Sequence, residues 1–478
     1  MKVFYLIVSA LLYNLSYSPF DYKILIFLSF VILFYVLDEL SSTNKIKTLL
    51  FFYILIHLFG VSWISQSLIH YSSMNIFLSL FVTLLLIIML SIPYALIGIL
   101  YKSINKNNLI NILFISALFT SAEYIKSLLF GGFPWLLIGH TQNQTPLNYV
   151  YPLFGSYAVS YLVIFSSSVI YKTLRHNSHN YALISITLFL MYALIPPIKS
   201  ENNKSELISF TIYQPNIYPS QSYNPKKYSE IIAKYNKVLN DNKSSNLIIF
   251  PETILPVVFK DSSEIYKSFS TSTSKEKALI VGLFTQSKQD YFNSMLIFSD
   301  SISQYNKRKL VPFGEYTPWY DSLTKLSNVL NIPLSNLSHG TSKIDSIPLS
   351  KVSILPMICF ESTFPNLVNS KSDNEVIVNI SNDGWFGQSL APFQHLQIAQ
   401  IRALEFNRYI LRGTNTGISA VISNQGQLLE FIVNNTEGTL TGSLPTKIPR
   451  SFYSEYGDKL ILMLIFFSLL ANGLSRPI

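Results

Sequence analysis

Leu355-Pro-Met-Ile-Cys-Phe-Glu361 is a short apolar run that ends in a thiol and a carboxylate. Residues 353–358 read as a strand buried on both faces, because the run has strand length and no polar alternation. Such a strand belongs inside a layered α/β domain, with its reactive side chains at the carboxyl end. Cys359 is the sole cysteine in 478 residues, so it has no internal disulfide partner. Two readings follow: a buried structural thiol, or a nucleophile or ligand.

Neighbouring segments repeat the pattern. Residues 206–213, 246–250, 278–284, 293–298, 375–381, 409–412, 418–423 and 428–432 read as strands. Residues 225–240 and 392–408 carry helical spacing, the first with Asn224 as N-cap. Helices alternating with buried strands predict α/β layers. Three predicted strands end in polar clusters: Pro251-Glu252, Cys359-Phe360-Glu361, and Asn382-Asp383-Gly384-Trp385-Phe386-Gly387. The carboxyl ends of strands are where α/β folds hold reactive groups on a rigid frame. Tyr305 to Pro318 adds a dense polar–aromatic run.

The first 200 residues differ in kind. The whole chain is 49% hydrophobic and 13% charged, and the charge deficit lies mostly in this part. Apolar stretches at 3–19, 22–40, 48–67, 75–100, 109–130, 152–171, 180–198 and 458–474 predict eight spans. The expected organisation is seven transmembrane helices in 1–198, a soluble domain in 199–457 and a last transmembrane helix in 458–478. Lys2, Lys45, Lys47, Lys102, Lys106, Lys172, Arg175 and Arg476 fall in alternate loops. The opposite loops hold Lys23 alone, with none in 68–74 or 131–151. By the positive-inside rule both termini are cytoplasmic and the large domain lies across the membrane, in the bacterial case in the periplasm. The net charge of +9 is explained by this topology; no dense basic stripe points to nucleic acid. The uncharged loop 130–140, rich in Gly and aromatics, reads as an interfacial loop or as a wall of a lipid-facing site. Glu123 and Lys126, one helical turn apart, are placed to pair with each other or to serve a site at the membrane surface.

A thiol nucleophile needs a base and a positive or amide environment for the developing oxyanion. No convincing Cys/His pair is visible near Cys359. His395 is assigned to holding or capping the helix near 392, since no acidic residue is seen to orient it, and His339 has no stronger claim. Glu252 as base, with Lys307 or Lys309 as cation, fits better. Arg402, Glu405, Arg408 and Arg412 read as an ion-pair network, and Trp385 and Phe386 as core or pocket wall.

Phe250-Pro-Glu252, Tyr305-x-Lys307-x-x-Leu-Val-Pro-Phe-Gly-Glu315-Tyr, Cys359-x-Glu361 and Ser381-Asn-Asp-x-Trp-Phe-Gly387 with His395-x-Gln397 occur in order after the spans. In combination they resemble the nitrilase (carbon–nitrogen hydrolase) superfamily and, more narrowly, the bacterial apolipoprotein N-acyltransferase family. The resemblance covers nearly the whole chain. It implies an αββα sandwich, Glu252 as general base, Cys359 as nucleophile, and Glu315 and Glu361 as supporting acids. It selects Lys307 over Lys309, because Lys307 stands eight residues before Glu315. The family has Trp near Tyr223 and Tyr where Phe360 stands; both positions keep an aromatic ring. The implied reaction moves an acyl group from a membrane phospholipid, through a Cys359 thioester, to the α-amine of a diacylglyceryl-cysteine on a lipoprotein. The resemblance implies no metal and no dissociable cofactor, and a monomeric integral protein of the bacterial inner membrane. A membrane-anchored amidase is the rival enzyme. A transporter or scaffold is the rival from another class, disfavoured by the apparent lack of charge pairs in the spans. Segment 316–345, with Trp319 and several Leu, is a candidate lid.

Overall fold

The computed structural model describes residues 1–71, 75–101, 104, 109–176, 179–194, 206–222, 224–259, 264–316, 336–341 and 345–474. These divide into two compact units. The first comprises Met1–Ser65, Ile76–Ile198 and Glu455–Ile478, the second Gln66–Asn75 and Lys199–Ser454.

The first unit is helical. Its helices are α1 (Lys2–Leu15), α2 (Leu25–Asp38), α3 (Ser42–Val61), α4 (Ile64–Tyr71, which runs into the second unit), α5 (Ile76–Leu100), α6 (Leu109–Lys126), α7 (Tyr151–His176), α8 (His179–Leu194) and a C-terminal helix, Lys459–Leu474. A helix core matches each expected span. Among the described residues, four helices, α3, α5, α6 and α7, are long and apolar enough to cross a membrane, while α1, α2, Asn180–Tyr192 and Lys459–Ala471 are shorter apolar helices. The expected span 48–67 is displaced: α3 ends at Val61 and the chain restarts as α4.

The loop after α6 is folded inward. Trp135 to Ile138 and His140 to Asn143 are buried. The Ile138 amide donates to Glu123 Oε1 at 2.6 Å, and Lys126 Nζ donates to the Trp135 carbonyl at 2.7 Å. Tyr13 adds a hydrogen bond to the Leu136 carbonyl at 3.1 Å. Glu123 and Lys126 form no direct ion pair with each other, in line with the expected lack of charge pairs in the spans. Both are buried in this unit, and each binds backbone of the loop. Backbone partners replace water at Glu123 Oε1 and Lys126 Nζ, while Glu123 Oε2 is buried with no hydrogen-bond partner among the described residues.

The second unit contains two six-stranded mixed sheets. In the first, β12-β1-β2-β3-β4-β5, the strands are β1 (Leu207–Gln214), β2 (Leu247–Ile249), β3 (Ala278–Ser287), β4 (Asp290–Phe298), β5 (Ile302–Asn306) and β12 (Gly438–Pro445). In the second, β11-β10-β9-β8-β7-β6, they are β6 (Ile347–Pro348), β7 (Ser353–Ile358), β8 (Glu375–Ser381), β9 (Ile410–Thr414), β10 (Ser419–Ile422) and β11 (Leu428–Ile432). Each sheet has three parallel strands at its centre, β1-β2-β3 and β7-β8-β9, flanked by antiparallel ones.

The sheets face one another across a continuous core that includes Ile212, Ile249, Ile280, Met295, Met357, Val378 and Leu411. The opposite face of the first sheet packs Ile248, Leu279 and Leu296 against Tyr235 and Leu239 of α9 (Tyr228–Asp241) and Phe269 of α10 (Glu264–Thr271). Leu396, Ala399, Ala403 and Phe406 of α11 (Ala391–Phe406) pack on the second sheet. The expected helix–sheet–sheet–helix sandwich is thus observed, and it explains why the central strands are apolar on both faces. The sequence reading omitted β5, β6 and β12.

Candidate active site

β2 stops at Pro251, which lacks the amide needed to continue the ladder. The chain then turns through Glu252 and Thr253, the latter at φ 49°. Gly282 of β3 makes room: a Cβ there would lie 2.5 Å from Glu252 Cα. Hydrogen bonds from Gly282 N to Pro251 O and from Ile254 N to Gly282 O, both 3.1 Å, hold the turn against β3. The buried Glu252 carboxylate accepts from Asn293 Nδ2 at 2.7 Å and Lys307 Nζ at 3.1 Å on Oε1, and from the Asn382 amide at 2.8 Å on Oε2.

β5 brings Lys307 to the same place. It is antiparallel to β4, which is antiparallel to β3, so β5 runs parallel to β2 and ends at the same edge. Lys307, one residue past β5, is 1% exposed. Its Nζ donates to Glu315 Oε1 at 2.8 Å as well as to Glu252. Asn293 Nδ2 also bridges both carboxylates, reaching Glu315 Oε1 at 2.8 Å. Glu315 Oε2 accepts from the Val311 amide at 2.8 Å, which locks the turn that follows Lys307. Lys309 goes elsewhere: its Nζ lies over the Phe364 ring, 4.5 Å from the centroid.

β7 delivers Cys359 from the opposite sheet. The strand gives way to a 3-10 turn, Cys359–Thr363, and Cys359 itself has φ 50°. A left-handed non-glycine residue stores about 1–3 kcal/mol of strain and persists where its surroundings over-determine it. Glu361 supplies part of that determination. Its Oε2 accepts from the Ile358 amide at 2.8 Å. Its Oε1 accepts from Tyr305 OH and the Arg308 amide, both at 2.7 Å, and from the Lys309 amide at 3.2 Å. Glu361 therefore ties the turn after β7 to the turn after β5. Phe360 packs edge-on against Phe364, with ring centroids 5.0 Å apart. Tyr223 lies outside the described residues, as does most of the candidate lid 316–345.

β8 ends in Ser381-Asn382-Asp383, and here the sequence reading of His395 is corrected. His395 has an acidic partner: Nδ1 is 2.9 Å from Asp383 Oδ1. Its Nε2 is 3.1 Å from the Cys359 carbonyl, so the histidine does sit beside the cysteine, contrary to expectation. Asp383 and His395 are far apart in sequence from Cys359, and their meeting depends on β8 lying next to β7. The four charged residues read as a network divide among different carboxylates. Arg402 pairs with Glu405 at 2.6 Å, Arg408 with Glu375 at 3.6 Å, and Arg412 with Asp383 at 2.9 Å. Among the described residues, Cys359, Asp383 and His395 bring potential metal-ligand atoms within 4.8 Å of one another. Arg412 is bonded to both Asp383 and His395, and its fixed positive charge opposes a cation there.

The electrostatics follow from burial and pairing. Burial raises the Cys359 thiol well above its ordinary range, the Glu252 charge raises it further, and Lys307 opposes both. The resting group is a neutral thiol. Burial alone would lower the Lys307 ammonium, but Glu252 and Glu315 outweigh it and hold it charged. Burial raises Glu361 against the hydrogen bonds from Tyr305 and the backbone amides. A protonatable thiol, a buried ammonium and a carboxylate thus share one water-poor site.

Two family descriptions match the chain: the apolipoprotein N-acyltransferase N-terminal domain over residues 9–169, and carbon-nitrogen hydrolase over residues 210–448. Apolipoprotein N-acyltransferase of Coxiella burnetii is 30% identical, over 85% of this chain and 88% of the relative. That of Nitrosomonas europaea is 32% identical, over 76% and 74%. The chain belongs to the apolipoprotein N-acyltransferase family. The Haemophilus influenzae relative, 29% identical, extends the match to 98% of this chain and 94% of its own length. As a member of the family the chain is an enzyme of the acyltransferase class, with a carbon–nitrogen hydrolase fold. Four residues of this site had no role assigned from sequence: Asn293, Tyr305 and Ser381, the last two quoted only as motif members, and Arg412 as a partner of Asp383. Asn293 and Ser381 left a trace, being polar residues at the ends of the predicted apolar segments 293–298 and 375–381.

Proposed function

We propose that this enzyme transfers a fatty acyl group from a membrane phospholipid to the α-amine of a diacylglyceryl-modified cysteine at a lipoprotein N-terminus, by way of a Cys359 thioester. The observation that carries the proposal is the convergence of Glu252, Lys307 and the left-handed Cys359 at the carboxyl ends of β2, β5 and β7. Glu252 takes the thiol proton as Sγ attacks the ester carbonyl carbon. Lys307, with backbone amides near residue 360, stabilises the tetrahedral oxyanion. Collapse breaks the ester bond; the departing glycerol oxygen takes the proton from Glu252, and a lysophospholipid leaves. The lipoprotein amine then attacks the thioester carbon and gives a proton to Glu252. The sulfur departs and regains that proton. A thioester suits this chemistry because it is a good acyl donor to an amine.

Glu315 fixes Lys307, and Glu361 fixes the turn that carries Cys359. Tyr223 and Phe360 contribute aromatic surface to the acyl chain. The proposed organisation is that of the lysine and arginine distribution: residues 1–198 and 458–478 in the bacterial inner membrane with cytoplasmic termini, residues 199–457 periplasmic, the whole a monomer. Incubation with phospholipid carrying a labelled acyl chain tests the scheme. Label bound to Cys359, released by neutral hydroxylamine and chased onto a diacylglyceryl-cysteine peptide, is the expected result. Label lost to water in the presence of that peptide would instead support the amidase. Full transfer by Cys359→Ala would refute the thioester.

A further inference from the structure

The His395–Asp383–Arg412 cluster is not used by the scheme above. All three side chains are at most 1% exposed, which is an expensive place for three ionisable groups without a task. Their hydrogen bonds run toward the nucleophile. His395 Nε2 is 3.1 Å from the Cys359 carbonyl oxygen, and the Ser362 hydroxyl donates to the same oxygen at 3.0 Å. Nε2 is also 3.0 Å from the Ser362 hydroxyl, but that hydroxyl gives its proton to the carbonyl, and a carbonyl only accepts, so Nε2 carries the proton. Nδ1, which carries no proton in the neutral ring, then accepts from Arg412 Nη2 at 3.0 Å; Asp383 Oδ1, 2.9 Å away, orients the ring by fixing Arg412 and not by a hydrogen bond to Nδ1. Arg412 also donates to Asp383 Oδ2 at 2.9 Å and to Asn379 Oδ1, so the guanidinium and the carboxylate fix each other. Asp383 is further gripped by the Ser381 hydroxyl, which donates to its Oδ1 at 2.8 Å. Gly417 permits this packing, since a Cβ there would lie 2.4 Å from Asp383 Oδ2. The cluster therefore reaches the cysteine at its carbonyl, through His395.

We propose that His395, oriented by Asp383 and Arg412, is a positioning residue for acyl transfer: its Nε2–H pins the Cys359 carbonyl and so holds the left-handed turn that aims the thiol. The inference rests on Cys359 being the nucleophile. His395 takes no proton in either half-reaction. Its imidazole is held neutral by burial and by the Arg412 charge, against the pull of Asp383, which suits a fixed donor better than a general base.

The test uses the full chain in detergent micelles with phospholipid and a diacylglyceryl-cysteine peptide, comparing His395→Leu with His395→Gln. Glutamine can place an amide N–H near the position of Nε2; leucine cannot. Loss of a turn that aims a nucleophile is expected to lower kcat on the order of 10²-fold for His395→Leu, with KM unchanged. His395→Gln should recover most of that loss. Alkylation of Cys359 by iodoacetamide should fall and recover in the same order, while resistance to trypsin stays that of the wild type in the glutamine variant. Equal losses in both variants, or a kcat for His395→Leu close to wild type, would overturn the inference. If Cys359→Ala still transfers acyl groups, the nucleophile reading fails first and this inference falls with it. If Cys359→Ala is inactive while His395→Leu is not, this inference alone fails.

Discussion

Replacing Lys307 by methionine removes the one positive charge that the site holds between Glu252 and Glu315. Methionine matches the lysine stem in volume, so the change isolates the ammonium. In the wild type Nζ lies 3.1 Å from Glu252 and 2.8 Å from Glu315, and the lysine and Glu252 side chains are 1% and 6% exposed. Without it, two carboxylates share a single amide, Asn293 Nδ2, as their common donor. Breaking a buried ion pair by deleting one partner costs about 3–5 kcal/mol. Glu315 is 16% exposed and regains some hydration, which favours the lower part of that range. For a domain of this size each kcal/mol moves the melting point by roughly 2–4 °C, so a cost of about 3–4 kcal/mol gives an expected fall of about 6–16 °C. The assay is thermal melting of the full chain in detergent, followed by proteolysis of residues 206–454. Adding Glu315→Gln to Lys307→Met removes one of the two uncompensated charges. The double variant should be more stable than the sum of the single effects by about 0.5–3 kcal/mol. Acyl transfer should remain about 10²–10³-fold down in both, because the oxyanion has lost its cation. Strictly additive stabilities, or a Lys307→Met variant that melts with the wild type, would refute the electrostatic account of this site.

Three further outcomes are expected. Gly282→Ala should displace the Glu252 turn, because its Cβ would meet Glu252 Cα at 2.5 Å; a loss of about 1–3 kcal/mol in melting and a fall in kcat check this. Tyr305→Phe removes the 2.7 Å hydrogen bond to Glu361, a buried acceptor, and should destabilise the domain by about 1–3 kcal/mol in denaturant melts. The Cys359 thiol lies above the ordinary thiol value of 9.0, chiefly through burial, so it stays protonated where free thiols have ionised. Its iodoacetamide alkylation, followed by mass spectrometry, should therefore keep rising past pH 9 rather than level off near it; a plateau below pH 9 would contradict this.

The strands that carry the site were legible because their burial is two-sided. Residues 353–358 and 375–381 lie at the centre of a sheet covered on both faces, and such strands are apolar runs without alternation. β5 and β12 were not legible. Both are edge strands: Ile302–Asn306 has burial on few positions, and Gly438–Pro445 buries little besides Leu440 and Leu444. An edge strand owes its conformation to the ladder beside it, which a single segment does not encode. Missing β5 mattered, because that strand ends beside β2 and delivers Lys307 to Glu252.

By itself the sequence determined that the chain joins apolar helices to an α/β domain, that its polar residues cluster at strand ends, and that Glu252, Lys307 and Cys359 stand in motifs of one family. These are local properties, set by hydrophobic period, turn residues and spacing. Tertiary structure alone decided which charges meet. Lys307 and Lys309 are two residues apart with the same chemistry. One lies between two carboxylates, while the other rests on the Phe364 ring, because both stand in the turn beyond β5, whose path is set by the hydrogen bonds of Glu361 and Glu315 and not by strand alternation. No acidic neighbour of His395 is visible along the chain, yet in space its Nδ1 lies 2.9 Å from Asp383 Oδ1 and its Nε2 lies 3.1 Å from the Cys359 carbonyl. Pairing of β7 with β8 brings those groups together, and burial makes their contacts strong; neither is a property of any one stretch of sequence.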